Sequence, residues 1–182
     1  MNGYRHGKGT FTSTEDGAEY IGDWVMGKYE GKGKIIYENQ GFYEGEFKKN
    51  KKHGKGVMTY ASKNQYEGNW IEDKKEGKGV MNWSKENEKY EGNWLNNVPY
   101  GYGEYYWYEN KTEYKILKTI YKGNWINGKR EGYGVFFYSN GCRFEGYFKN
   151  NGKDGYGISV DCYGRDKLDL YKNDRLISLA KK

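Results

Sequence analysis

Seven Gly-x-Gly pairs, two histidines and one short Gly-Ile-Ser string are the residues of this chain that could do chemistry. The pairs fall at 7/9, 31/33, 54/56, 77/79, 101/103, 132/134 and 155/157. A glycine pair cradles phosphate only with a third glycine, a strand before it and a helix after it. None of the seven meets those conditions. His6 and His53 stand directly before a Gly-x-Gly in different copies of the same string. Paired acid–base chemistry needs groups within hydrogen-bond reach of one another, so a scaffold role is expected for both. The string "GISVD" (157–161) resembles a nucleophile elbow but lacks the second glycine and the helix. Cys142 and Cys162 have no metal-ligand spacing. No catalytic, cofactor-binding or metal-binding residue is therefore expected, and the chain is read as a non-enzyme.

What positions these glycines is visible in the composition. Of 182 residues, 35% are hydrophobic and 19% are aromatic, so rings make up more than half of the apolar set. Aliphatic residues are too few for a thick two-layer core. Disordered chains are poor in aromatics, so disorder does not fit either. Glycine occurs 28 times and proline once, at Pro99. Rings with many glycines point to β-structure with tight turns. The net charge is +6, with acidic and basic residues interspersed. That reads as a solvated surface, with anionic lipid or acidic protein as the alternative contacts. No nucleic-acid partner is expected. The start of the chain lacks an apolar signal core. No apolar run approaches the roughly 20 residues of a membrane-spanning helix. The cysteines suit a reduced, cytoplasmic protein.

The chain repeats itself. "YIGDWVMGKYEGKGKIIY" (20–37) recurs as "YEGEFKKNKKHGKGVMTY" (43–60), "YEGNWIEDKKEGKGVMNW" (66–83) and "YEGNWLNNVPYGYGEYYW" (90–107). Two further copies are "YKGNWINGKREGYGVFFY" (121–138) and "FEGYFKNNGKDGYGISVD" (144–161). The first aromatics stand at 20, 43, 66, 90, 121 and 144, and the one long step holds an insertion within 108–120. Residues 2–19 read as a half copy, so the array begins in mid-repeat, as a fragment or with a covered edge. Residues 162–182 read as a degenerate cap, with Tyr171 at the tryptophan position. The expected fold is all-β: an elongated, twisted, single-layer antiparallel meander of β-hairpins.

In each copy the alternation Tyr-x-Gly-x-Trp puts both rings and the glycine on one face. Rings can then lie on bare glycine backbone of the next strand and bury apolar area without a second layer. The opposite face carries Glu44, Glu67, Glu91 and Glu145 with Lys32, Lys55 and Lys78, which are expected to pair weakly across strands.

The string "YEGxWxxxKxxGxG" resembles the MORN repeat (membrane occupation and recognition nexus), and the resemblance covers nearly the whole chain. Phe47, Phe144 and Phe148 depart from it. Residues 77–107, the insertion, and the copy from 121 are similar to the radial spoke head protein 10 homologue group of motile cilia. That resemblance implies a non-catalytic scaffold in the axoneme of a cilium or flagellum, with other radial spoke head subunits, and possibly a second copy of the chain, as partners. The alternative it leaves is an adaptor that docks partners at acidic membranes. A weaker third reading is a non-catalytic arm of a larger enzyme.

Two surfaces are candidates for contact. Lys48, Lys49, Lys51 and Lys52 form a basic turn that could meet an anionic surface. The second is an aromatic drift on the face opposite the Tyr/Gly/Trp set: Tyr102, Tyr106, Tyr133, Val135, Phe137, Tyr156 and Ile158, with Tyr147 and Val160 beside them. Exposed apolar patches of this size mark interfaces. The competing cover is the chain's own tail, through Leu168, Leu170, Tyr171, Leu176, Ile177 and Leu179.

Overall fold

In a computed structural model the described residues are 3–110 and 115–179. They form fifteen strands, which follow one another in chain order through one antiparallel sheet. Two compact units divide the chain: residues 1–86 with 94–97, and residues 87–93 with 98–182.

The first unit holds β1 (Gly7–Thr12), β2 (Glu19–Val25), β3 (Lys28–Tyr37), β4 (Gly41–Lys48), β5 (Lys51–Tyr60), β6 (Gln65–Ile71) and β7 (Lys74–Trp83). Strand β8 (Glu88–Leu95) follows. The second unit holds β9 (Val98–Asn110), β10 (Lys115–Ile126), β11 (Lys129–Tyr138), β12 (Arg143–Lys149), β13 (Gly152–Val160), β14 (Asp166–Lys172) and β15 (Arg175–Leu179). The insertion lengthens a hairpin. Strands β9 and β10 are 13 and 12 residues long and pair as far as Asn110 opposite Lys115. The tail is sheet as well: β14 adds to β13, with Ile158 opposite Leu168.

Among the described residues, six hairpins within the two units close through two residues that both have positive φ. These are Met26–Gly27, Lys49–Asn50 and Glu72–Asp73 in the first unit, and Asn127–Gly128, Asn150–Asn151 and Asn173–Asp174 in the second. Two positive φ values mark the type I′ turn, whose twist matches that of the strands, and Asn, Asp and Gly accept it best. So short a turn starts the second strand early. A register shift then follows in each of these six, between Gly22 and Trp24, Gly45 and Glu46, Gly68 and Trp70, Gly123 and Trp125, Gly146 and Phe148, and Leu170 and Tyr171.

The second turn residue also clamps the preceding hairpin. The Lys52 N–H donates to Asp73 Oδ1 at 2.9 Å, and the Asp73 N–H donates back to the Lys52 carbonyl at 3.1 Å. Asn50 does the same to Tyr29, and Asn97 to Lys75. In the second unit Asn151 clamps Arg130, and Asp174 clamps Lys153. These bonds stitch successive hairpins at their turn ends, where the ladder alone would fray.

Candidate functional site

One face carries the rings. The leading aromatics Tyr20, Tyr43, Tyr66, Tyr90, Tyr121 and Phe144 are wholly buried, although only one layer of sheet exists to bury them. Each lies flat on glycine. Gly123 and Gly134 face each other across the ladder, and the Tyr121 ring covers both. A Cβ on Gly134 would sit 2.6 Å from carbons of that ring. The Tyr121 hydroxyl then donates to the Asn124 carbonyl at 3.2 Å. The tryptophans reach the other way. The indole N–H groups of Trp24, Trp70, Trp94 and Trp125 donate to the carbonyls of Gly9, Gly56, Gly79 and Gly103, at 3.1–3.2 Å. Tyr66 meets Trp70 and Trp94 edge-on, with centroids 5.1 and 5.2 Å away. Edge-to-face contact adds to the gain from area alone.

A cation on this face is what the sequence reading missed. Nine residues after the leading ring of its copy stand Lys52, Lys75, Arg130 and Lys153. Lys52 Nζ lies 5.4, 5.8 and 5.0 Å from the centroids of Tyr37, Tyr43 and Trp70. Lys75 Nζ lies 5.4, 5.1 and 5.1 Å from Tyr60, Tyr66 and Trp94. In the second unit Arg130 sits among Trp107, Tyr121 and Phe136, and Lys153 among Tyr138, Phe144 and Tyr171. Such contacts are attractive because the ring face is electronegative. Burial lowers the pKa of all four, and that of Lys75 falls to about 8, with repulsion from Lys52 adding to the effect. The recurrence of Lys, Lys, Arg and Lys at one place in the period was the signal in the sequence.

The basic turn is accordingly divided. Lys52 pairs with Phe47 across the hairpin and shares its face. It is not part of one patch with Lys48, Lys49 and Lys51: Lys48 and Lys51 stand opposite each other at the turn, and Lys52, the next residue of β5, points to the ring face. Those three are exposed, and Lys51 is salt-bridged to Glu72 at 3.3 Å. Among the described residues of the lysine–glutamate set, the cross-strand pair found is Lys34 with Glu44, at 4.0 Å, rather than one from Lys32, Lys55 or Lys78.

The far face of the second unit brings the aromatic candidates together. Tyr133 stands opposite Tyr147, Val135 opposite Glu145, and Phe137 opposite Ile120 on one side and Arg143 on the other. Tyr106 is opposite Ile120 as well, Tyr102 is opposite Asn124, Tyr156 opposite Leu170, and Ile158 opposite Glu145. Tyr102, Tyr133, Phe137, Tyr147, Tyr156 and Ile158 are all exposed, Tyr156 at 61%. Val135 is half-buried. So is Tyr106, whose hydroxyl donates to Glu104 at 2.6 Å beneath Lys89; burial and that carboxylate raise its pKa. Val160 is buried rather than exposed. The charges here answer one another: Lys122 with Glu104 at 2.9 Å, Lys89 with Glu91 at 2.7 Å, and Glu145 with the Tyr133 hydroxyl. Among the described residues the tail does not cover this face; the Leu179 side chain lies outside them. The tail joins the sheet edge, and Leu168, Leu176 and Ile177 remain exposed themselves.

The groups that suggested chemistry have structural duties. His6 Nδ1 accepts the Met26 N–H at 3.4 Å. Glu30, Glu76, Glu131 and Asp154, at the same place in later copies, accept turn N–H groups at 2.9–3.1 Å. Ser159 of the "GISVD" string is a strand residue whose hydroxyl donates to buried Asp169 at 2.8 Å. Among the described residues no group of three or more His, Cys, Asp or Glu could hold a metal ion.

Comparison with known proteins places these hairpins. The pattern described as "MORN repeat" matches residues 1–16, 20–42, 43–65, 66–88, 90–112, 121–143 and 144–161. No curated protein matches the chain. Among solved structures, one that is similar is the SAS-4 (dCPAP) TCP domain of Drosophila melanogaster, in complex with a proline-rich motif of Ana2 (dSTIL). It is 14% identical, with a TM-score of 0.45, over 96% of this chain and 90% of that one. A likeness of that degree carries no conclusion about function.

Proposed function

Because the chain belongs to the MORN-repeat family, we propose that it is a non-catalytic protein-interaction scaffold that docks a partner protein on the far face of its second unit. The observation that carries this reading is the exposed, charge-compensated set Tyr102, Tyr133, Phe137, Tyr147, Tyr156 and Ile158 on that face. Nothing in the fold requires rings there, since the ring face already supplies the packing. The far face of the first unit, by contrast, alternates lysine and glutamate with Ile21, Ile36, Val57 and Val80, and its one ring in β2–β7, Phe42, is half-buried under Lys34. An aromatic patch whose charges pair within it suits burial against protein, where Tyr and Phe anchors dominate.

The more specific reading is a radial spoke head component of the ciliary axoneme. It is supported by the similarity of residues 77–107, and of the insertion in the β9–β10 hairpin, to the radial spoke head protein 10 homologue group. In this role the partners are other spoke head subunits. Co-sedimentation of the purified chain with demembranated axonemes tests it. The membrane-adaptor reading rests on exposed Lys48, Lys49 and Lys51, and predicts pelleting with phosphatidylserine vesicles that is lost when these three are replaced by glutamine.

A further inference from the structure

The caged cations do more than packing requires. A ring face built only for burial would place a neutral side chain between rings, as the chain itself does with Tyr29, which stacks on Tyr20 at 3.7 Å. Lys52 and Lys75 instead bring two ammonium groups to one face of the first unit. They are half-buried, and they repel each other. Lys52 is answered by Asp73, whose carboxylate also accepts its backbone N–H. The residue that clamps Lys75 in the same way is Asn97, a neutral amide. The two cages share a run of rings, Tyr43, Trp70, Tyr66 and Trp94, each edge-on to the next. Met58 and Met81, each opposite Tyr66 in register, are buried as well. The result is a run of buried rings with half-buried cations at the spacing of one repeat, about 10 Å for two strand widths.

We propose that the ring face of the first unit binds an acidic protein segment in extended conformation, with its carboxylates seated at Lys52 and Lys75. An extended polyproline II chain rises about 3.1 Å per residue with three residues per turn, so acidic residues three apart project to one side and match the repeat spacing. A carboxylate at Lys75 supplies the counter-charge that Asn97 does not. The half-buried cage rings Tyr37 and Tyr60 take up the apolar parts of the segment. A flat anionic membrane meets the exposed turn lysines Lys48, Lys49 and Lys51 first, whereas ammonium groups half-buried among rings are reached by a narrow chain. This surface uses none of the residues of the docking face proposed above, so either reading can fail alone.

The test is fluorescence anisotropy with a labelled dodecapeptide of four Asp-Ser-Ala repeats. Its controls are the same peptide with asparagine for aspartate, and one with the four aspartates adjacent. Wild-type chain binds the spaced peptide more tightly than the clustered one, and the asparagine peptide fails to bind. Lys52→Met and Lys75→Met, which keep the aliphatic stem against the rings, each weaken binding about tenfold, the loss expected for one charge-assisted contact. Lys75→Arg restores binding, and Lys51→Met leaves it unchanged. Thermal unfolding of each variant confirms that the fold is kept. The proposal is overturned if the spaced peptide does not bind or the clustered one binds as well. It is also overturned if the two Met variants bind like wild type, or if they abolish pelleting with phosphatidylserine vesicles while no peptide binds.

Discussion

At the scale of the residue, the two glycines of each Gly-x-Gly do different work. Gly134 lies under the Tyr121 ring, which is wholly buried and cannot give way. Gly134→Ala should therefore destabilise the second unit by about 3 kcal/mol or more, as overpacking against a fixed ring does. Gly132 has φ +72° and open space around it, with Asn124 at 3.7 Å. Gly132→Ala should cost about 1–2 kcal/mol of backbone strain alone. Urea denaturation separates the two. Trp70→Phe removes the N–H that meets the Gly56 carbonyl at 3.2 Å and should cost about 1 kcal/mol without unfolding the chain. Phe47 and Phe148 already stand at that position in other copies. Lys75 gives a pH signature. Its folded pKa is lowered to about 8, whereas the unfolded lysine titrates near ~10.4. Between these values the unfolded chain holds more protons, so the contribution of Lys75 to stability rises with pH. Buried tyrosines act oppositely above pH ~10: Tyr20 and Tyr37, raised by burial to about 12, keep their protons in the fold, and stability falls. The unfolding temperature of Lys75→Met should climb less between pH 8 and 10 than that of wild type, with the fall at higher pH unchanged.

The hairpin is the element, and its turn decides which side chains share a face. Asn151 has φ +74° and its Oδ1 accepts the Arg130 N–H at 2.8 Å. Asn151→Gly keeps the conformation and loses the bond, for about 1 kcal/mol. Asn151→Ala loses both, and adds about 1 kcal/mol of left-handed backbone strain. Faster hydrogen exchange at the Arg130 amide in both variants checks the clamp. The same turn explains what could and could not be read from the sequence. The period, the strand alternation and the glycine bed under Tyr121 were legible, because ring and glycine recur at fixed offsets. The far-face set of Tyr133, Phe137 and Tyr156 followed from the parity of the glycines. The side on which Lys52 lies was not legible. A loose basic turn of four lysines and a two-residue turn with an early second strand share one sequence, and only the register with Phe47 tells them apart. Tyr106 read as exposed because parity says nothing of Lys89 and Glu104 closing over it. The tail read as a possible cover because Leu168 and Leu170 suit a strand as well as a lid.

The whole molecule is a repeat protein whose sides are specialised. The ring face of each unit carries the folding energy and a caged cation in four copies; the far face of the second unit carries rings that the fold does not use. The net charge of +6 opposes self-association through an open aromatic patch. Repeat proteins hold each element chiefly through its neighbours, so exposed far-face rings can change without loss of the fold. Phe137→Ser with Tyr156→Ser should leave the unfolding temperature within a few degrees of wild type. The most direct test of the account is co-sedimentation of that double variant and of wild type with demembranated axonemes. Wild-type chain should sediment with the axonemes and the variant should remain in the supernatant. Equal sedimentation of the two would contradict the far face as the docking surface, and wild-type chain left in the supernatant would contradict the axonemal role.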